Sequence, residues 1–325
     1  MAADTRTVQT VTGRVLPEAL GRTLIHEHVL IGFPGWELDA LAPRFNRAEA
    51  MARAIDQMQQ LRDLGVGTFV DPCPMDLGRD VEFLAELSQK SGLQIVCTTG
   101  AYFEAEGITH TFRHLPVEEI TAIYIKEISE GVGDTGIRAG AVKIATGAQR
   151  ISDYERKLVQ AGARAARETG VPLISHTQEG SCGHEQIDLV TREGVFAERL
   201  VVGHSDGIDD YEYHRTLAER GAFVGFDRFG ITLILPDEVR VKNVIKLAKV
   251  GYTRNILLSH DSIVCWQGRP VPFGSRYEDL LATLPDWRPT SMLTKVVPQL
   301  RAGGLSEADI TTILVDSPRR LFAGV

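Results

Sequence analysis

The stretch that decides the fold is AGAVKIATGAQRISDYERKLVQAGARAARETGVPLISHT, residues 139–177. It opens with an apolar run at 139–146, continues with apolar residues at helical spacing over 153–169, and closes with a second apolar run at 172–177. Gly170 follows the helical stretch, at the position where helices commonly end. This order predicts a strand, a helix and a second strand parallel to the first.

The same alternation recurs along the whole chain. Eight short apolar runs occur, at 23–29, 67–71, 94–99, 139–146, 172–177, 200–206, 222–229 and 255–261. Helical stretches such as 47–64 separate them. Near-continuous apolar strands that alternate with helices imply a parallel sheet covered on both faces, and eight is the number that closes into a barrel. The predicted fold class is therefore α/β, a (β/α)8 TIM barrel.

A doubly wound open sheet is the alternative architecture. It calls for a glycine-rich phosphate loop after the first strand, and neither GxGxxG nor GxxxxGK[ST] occurs in the chain. Before the first run, TVQTVTGRV at 7–15 predicts a short N-terminal β-hairpin. The tail predicts helices at 291–301 and 306–315, the second opened by a capping box of Ser306 and Asp309.

Composition bounds the class of protein. The chain has 325 residues, of which 43% are hydrophobic and 24% charged, as in globular proteins. No tandem repeat or Pro/Ser-rich stretch divides it, so we expect one domain over 1–325. With 35 basic and 43 acidic residues the net charge is -8, which leaves no basic surplus for nucleic acid or an anionic membrane.

Two further features bear on the compartment. No apolar run reaches the ~18 residues of a membrane helix, and the start, MAADTR, lacks a basic region before an apolar core. The widely spaced cysteines form no CxxC pair: they are Cys73, Cys97, Cys182 and Cys265. We expect reduced, buried thiols in a cytoplasmic protein, and not a zinc-thiolate site.

Polar residues stand near the ends of several apolar runs. A barrel enzyme places its chemistry at the C-terminal ends of its strands. The residues in question are His26, His28, Lys143, His176, His204 and Asp261. One histidine at a strand end is more often a satisfied core residue, but four that converge with an aspartate predict a metal site. Nitrogen and oxygen ligands suit Zn, Mn, Co or Fe, with zinc expected first.

The first run and the fourth supply the most specific signals. His26 and His28, two positions apart on a strand, face the barrel interior together, while Glu27 faces the other way. Lys143 stands in a strand that is buried on both faces, where a protonated amine is costly to desolvate and would repel bound cations. Its side chain therefore either reaches water at the rim or has an altered charge.

Taken together, six segments resemble the phosphotriesterase-like lactonases, of the phosphotriesterase family in the amidohydrolase superfamily. The resemblance covers nearly the whole chain. The segments are LGRTLIHEHV at 20–29, AGAVKIAT at 139–146, VPLISHT at 171–177, VVGHSD at 201–206, GFDRFG at 225–230 and LLSHD at 257–261.

The resemblance implies a binuclear metal centre. In that family the lysine is carboxylated by CO2 and bridges two divalent ions, a role that falls to Lys143. The implied remaining ligands are His26, His28 and Asp261 for one ion, and His176 and His204 for the other. A hydroxide would bridge the ions and attack the substrate, and Asp261 would accept its proton and pass it to the leaving group. The family also implies a homodimer.

Two further residues bear on the substrate. Arg228 matches an arginine of the lactonases, where organophosphate triesterases usually have a histidine, and this favours acylated lactones such as N-acyl-homoserine lactones, with promiscuous triesterase activity. A salt bridge of Arg228 with Asp227 at the rim is the alternative. Tyr102 resembles a tyrosine near the bridging hydroxide that could orient the lactone.

Several alternatives remain open at the level of sequence. The same metal centre could serve an organophosphate triesterase or a carboxylic esterase, and a catalytically silent metal-binding scaffold belongs to a different class. The segment 262–289 is long and rich in apolar and aromatic residues, namely Cys265, Trp266, Pro272, Phe273, Tyr277 and Trp287. It predicts a lid or channel for an acyl chain, or else packing against the barrel rim or a partner.

Overall fold

The structure, a computed structural model, describes residues 7–107, 110–270 and 277–324. Its strands are, in chain order, β1 (Val8–Thr10), β2 (Gly13–Val15), β3 (Arg22–Leu24), β4 (His28–Ile31), β5 (Val66–Asp71), β6 (Gln94–Gly100), β7 (Ala141–Thr146), β8 (Leu173–Thr177), β9 (Leu200–Val202), β10 (Phe223–Phe226), β11 (Ile256–Leu258) and β12 (Ile263–Trp266). β3 and β5 to β11 form one eight-stranded sheet in chain order, and its neighbouring strands are parallel. The predicted (β/α)8 TIM barrel is confirmed.

The helices alternate with these strands and cover the barrel. They are α1 (Arg47–Asp63), α2 (Val81–Ser91), α3 (His110–His114), α4 (Val117–Ser129), α5 (Asp153–Thr169), α6 (Gly183–Arg192), α7 (Tyr211–Glu219), α8 (Asp237–Leu247), α9 (Tyr277–Thr283), α10 (Val297–Ala302), α11 (Glu307–Thr311) and α12 (Ser317–Ala323). The predicted capping box of Ser306 and Asp309 opens α11. β1 and β2 form the predicted N-terminal hairpin.

The first and last predicted strands are each interrupted. The run at 23–29 forms β3 and β4 with a break at 25–27, and the run at 255–261 forms only β11, which β12 follows after a second break. β4 and β12 pair in parallel and so close the barrel between its first and last strands. The single continuous strands predicted here are wrong, because His26 and Asp261 lie in irregular backbone between the paired segments.

The strands in the middle of the chain match the prediction more closely. β5 to β8 start and end within two residues of the predicted runs. β9 and β10 end sooner than predicted, at Val202 and Phe226, and the backbone then turns. His204 has a φ of +57°, a conformation that a strand does not allow.

An apolar layer fills the barrel below the polar residues. Every barrel strand contributes to it, either directly or through the adjoining residue: its members include Ile25, Val70, Val96, Ala141, Ile174, Val201, Phe223 and Leu257. Lys143 lies two residues beyond Ala141, and His176 lies two residues beyond Ile174. Because strand side chains alternate with period two, both point into the barrel one step above the apolar layer.

Two expectations about the environment can be compared with the structure. The four cysteines are buried and are free thiols. Within the described parts of the chain, no helix has both the length and the apolar character that a bilayer crossing requires.

Gly100 allows β6 to approach β7 at the level of Lys143. The two residues are register partners, Gly100 has a φ of +110°, and a Cβ atom at this position would lie 2.0 Å from the Lys143 carbonyl oxygen. We expect Gly100→Ala to lower the free energy of unfolding by about 2–5 kcal/mol, from the clash and the backbone strain together. Urea denaturation measures this change.

Gly170→Ala is the matched control. Gly170 ends α5 with a φ of +78° and has open space around its Cβ position. Its substitution should cost only the backbone strain, about 1–2 kcal/mol. Equal losses in the two variants would show that the close approach at Gly100 does not constrain the barrel.

Candidate metal centre

The six predicted ligands meet at the C-terminal end of the barrel. They line one cavity of about 360 Å³, together with Arg228 and Tyr102. The six come from different strands of the barrel: His26 lies in the break of the first strand and His28 opens β4, Lys143 and His176 lie within β7 and β8, and His204 and Asp261 follow the ends of β9 and β11. The barrel therefore gathers residues that are up to 235 positions apart in the sequence.

Three imidazoles face the carboxylate of Asp261. Its oxygens lie 3.2 Å from His28 Nε2, 3.8 Å from His26 Nε2 and 3.7 Å from His204 Nε2. Ligand atoms around a tetrahedral ion with bonds of ~2.0 Å are about 3.3 Å apart. These separations fit a shared ion, and His26, His28 and Asp261 form a group whose ligand atoms lie within 4.8 Å of one another.

Buried carboxylates hold the other nitrogen of each of these histidines. Asp227 lies 3.0 Å from His26 Nδ1 and 2.8 Å from His204 Nδ1, and Asp71 lies 3.1 Å from His28 Nδ1. His26, His204 and Asp227 are also close enough to hold an ion themselves. However, Asp227 faces the Nδ1 atoms, so it orients the rings and leaves each Nε2 directed at the cavity.

The electrostatics of Asp227 agree with this orienting role. Burial alone would raise its pKa, but the neighbouring imidazoles of His204 and His26 hold the pKa well below its ordinary value. The carboxylate therefore stays ionised and accepts hydrogen bonds from both rings. Sequence reasoning missed Asp71 and Asp227 as site residues, although each follows an apolar run and the same search of strand ends could have found them.

Lys143 is buried, with 2% of its surface exposed, and it does not reach the rim. The alternative in which its amine is hydrated at the barrel mouth is therefore wrong. Its Nζ lies 2.9 Å from His26 Nε2. Burial is the main cause that lowers the pKa of the amine to about 8. The amine therefore loses its proton more readily than that of an exposed lysine.

The His176 ring packs against the His204 ring, with ring centroids 4.5 Å apart. Its Nδ1 lies 3.3 Å from the hydroxyl of Tyr102, and its Nε2 lies 2.7 Å from Oε1 of Gln178. Phe103 stacks on the same ring at 5.1 Å. Tyr102 therefore belongs to the cavity, and burial raises the pKa of its hydroxyl, which keeps it protonated.

Arg228 pairs with Asp261 and not with Asp227, its neighbour in the sequence. Its Nε lies 3.3 Å from Asp261 Oδ2, whereas Asp227 is engaged by histidines. The salt bridge with Asp227 at the rim is therefore wrong. The backbone N–H of Arg228 donates to Asp206, which also pairs with the buried guanidinium of Arg240 at 2.9 Å. Nothing in the local sequence of Asp206 and Arg240 indicates this pair.

The outer wall of the cavity is apolar. It includes Ile31, Phe33, Leu77, Ile231, Leu233, Ile234, Ile263, Trp266, Leu280, Leu284 and Trp287. The segment 262–289 supplies five of these residues, but it is not a plain loop, because β12 and α9 form within it. Pro272 and Phe273 lie outside the described residues.

The chain resembles characterised hydrolases over nearly its full length. The family model of the phosphotriesterase family matches residues 6–322. An aryldialkylphosphatase of Saccharolobus solfataricus is 33% identical, covering 94% of this chain and 95% of that protein. A phosphotriesterase homology protein of Mycobacterium tuberculosis is 31% identical, covering 97% of each.

Solved structures agree with these relatives. The organophosphorus hydrolase of Deinococcus radiodurans superposes with a TM-score of 0.92 at 40% identity, covering 99% of this chain and 100% of that one. Another structure, from work that engineered organophosphate hydrolysis from a weak promiscuous lactonase, gives the same TM-score and identity over 97% and 99% of the two chains. The chain therefore belongs to the phosphotriesterase family and is a metal-dependent hydrolase.

Proposed function

We propose that the protein is a binuclear-metal lactonase that hydrolyses acylated lactones such as N-acyl-homoserine lactones. The observation that carries this proposal is the division of the cavity into a polar floor and a long apolar wall. An acylated lactone has the same division, because a polar ring carries an alkyl chain. Burial of that chain against the wall would orient the ring toward the ligand atoms.

We infer that the donor set would hold two divalent ions. His26, His28 and Asp261 would hold one, His176 and His204 the other, and Lys143, carboxylated on Nζ, would bridge them. The fit rests on the three Nε2 atoms that face Asp261 and on the carboxylates that orient them. Zinc is the metal that we propose, although Co, Mn or Fe suit the same donors. When bound, such ions lower the pKa of water and polarise the ester carbonyl.

The protein's own residues would then manage the proton and the substrate. Asp261 is placed to accept a proton from the attacking water and to return it to the leaving alkoxide. Arg228, 3.3 Å from Asp261, keeps this carboxylate in one orientation. Arg228 and Tyr102 both line the cavity, where their polar hydrogens can bond the oxygens of a lactone.

An organophosphate triesterase is the second candidate. The names of the relatives favour it, since they include an aryldialkylphosphatase and an organophosphorus hydrolase. The engineered structure connects the two candidates, because its starting protein was a weak promiscuous lactonase. We place lactone hydrolysis first and triester hydrolysis as a side activity. From the free, buried cysteines we further propose a cytoplasmic location, and from the family resemblance a homodimer.

Rates on two substrate classes test the function. Purified protein loaded with zinc should hydrolyse a long-chain homoserine lactone with a higher kcat/KM than paraoxon. Among lactones, kcat/KM should rise with acyl length, because each methylene buried against the wall contributes about 0.8 kcal/mol, roughly a fourfold gain.

Chelation provides the control for this comparison. Dialysis against a chelator should abolish the activity, and metal readdition should restore it. A strong preference for paraoxon would identify a triesterase instead. A protein that binds metal but hydrolyses neither class would be the silent scaffold.

Asp261→Asn tests the role in proton transfer. The amide can still coordinate through its oxygen but cannot accept the proton, so we expect kcat to fall by ~10²–10⁴-fold while most of the metal is retained. Elemental analysis of the same sample used for kinetics measures both quantities. Normal turnover at full metal content would show that Asp261 does not transfer the proton.

Asp227→Asn tests the support of the ligands. Because one carboxylate holds both His26 and His204, its loss should weaken metal affinity by ~10–100-fold. Competition with a chromophoric chelator measures this change. Asp209→Asn is a control outside the site, since Asp209 is exposed and accepts a hydrogen bond from Asn243. Similar affinities in the two variants would contradict the role given to Asp227.

A further inference from the structure

Glu27 lies between two predicted ligands but faces away from the metal centre. Its carboxylate is fully buried and accepts hydrogen bonds from the backbone N–H of His260 at 2.9 Å and from that of Ser262 at 2.9 Å. The Ser262 hydroxyl, at 2.5 Å, and His260 Nδ1, at 3.2 Å, also contact it. A buried carboxylate is costly unless it is hydrogen bonded, and every one of these partners belongs to 260–262.

The partners of Glu27, His260 and Ser262, flank Asp261, whose backbone is strained. Asp261 has a φ of +53°, in the left-handed region that residues with a side chain seldom occupy. The N–H groups before and after it are bound by Glu27, and its own N–H donates to the His26 carbonyl at 3.0 Å. Three consecutive backbone donors are thus tied to the first strand. The hydrogen bonds of these three N–H groups hold Asp261 in its strained conformation.

The same segment is connected to the substrate cavity. The indole N–H of Trp287 donates to the His260 carbonyl at 2.9 Å. Trp287 is buried and lines the apolar wall. The peptide group that joins His260 to Asp261 is therefore held by the cavity wall through its oxygen, while its N–H is held by the first strand.

We propose that Glu27 and Trp287 are positioning residues for Asp261. Glu27 fixes the backbone that aims the Asp261 carboxylate, and Trp287 links this backbone to the wall against which the substrate lies. Neither acts on the reacting atoms. The inference rests on the proposed role of Asp261 in hydrolysis, but the placement of Asp261 can be measured without a substrate.

Glu27→Gln is the principal test. The amide group replaces an acceptor oxygen with a donor that faces N–H groups, so the hydrogen bonds that hold residues 260–262 should weaken. Amide exchange at 260–262 in the protein without substrate should accelerate at least tenfold. In the Co(II)-loaded protein the visible absorption should change, and kcat should fall at least tenfold while KM stays within about threefold. Ser262→Ala removes only one donor and should cause smaller changes in the same direction, even if Glu27→Gln folds poorly.

Glu155→Gln is the matched control. Glu155 is also a buried carboxylate that accepts backbone hydrogen bonds, from Gly147 and Ser152 at 3.0 Å each. Its substitution should leave exchange at 260–262 and the Co(II) spectrum as in the wild type. If Glu27→Gln behaves like this control in exchange, spectrum and kcat, Glu27 does not position Asp261.

Trp287→Phe tests the link to the cavity. It keeps an aromatic ring in the wall but removes the hydrogen bond to the His260 carbonyl. We expect a three- to tenfold lower kcat, whereas Trp266→Phe in the same wall should act mainly on KM for long-chain substrates. If Trp287→Phe, like Trp266→Phe, changes KM and leaves kcat unchanged, Trp287 does not position Asp261.

The substrate for these kinetics is whichever one the wild type hydrolyses fastest. A protein that prefers paraoxon overturns the lactonase proposal but not the positioning role. Amide exchange and the Co(II) spectrum decide the role of Glu27 in either case.

Discussion

The barrel closes at a seam where backbone hydrogen bonding between the first and last strands is interrupted. Beyond this point β4 pairs with β12, whereas β3 pairs with β5, and the described eight-stranded sheet ends at β3 and β11. In the gap, side chains supplement the backbone: the His26 N–H donates to the Ser259 hydroxyl and Glu27 accepts from 260–262, beside the backbone hydrogen bond from the Asp261 N–H to the His26 carbonyl. The gap releases His26 and Asp261 from strand geometry so that both can turn toward the barrel axis. The metal centre therefore depends on this imperfect closure.

Much of this arrangement could be predicted from the sequence. The period of two along β7 and β8 puts Lys143 and His176 inside the barrel, and strand order brings the other ligands to the same end. What could not be predicted is where strands stop. The left-handed backbone at His204 and Asp261 is imposed by contacts with distant residues, and apolar patterning carries no trace of it. The pairing of Arg240 with Asp206 is equally a product of tertiary packing.

The residues that orient the predicted ligands and the residues that would select the substrate lie in different parts of the cavity. The predicted ligands stand on or beside strands, and buried carboxylates such as Asp227 orient three of their rings. Most of the wall comes from the segments after β10 and β11, and one of its residues, Leu233, is 69% exposed. Changes at the exposed wall residues Leu233 and Ile234 therefore cost little packing energy, whereas changes around the predicted ligands cost both stability and metal affinity.

The seam also has a consequence for biosynthesis. The groups that meet there, such as the His26 N–H and the Ser259 hydroxyl, are 233 residues apart. At translation rates of ~5–20 residues per second, Ser259 is synthesised roughly 10 to 50 s after His26. During that interval Glu27 has none of the partners that it acquires from 260–262. Metal binding by the complete set of predicted ligands can only follow synthesis of Asp261, which comes last of the six in the chain.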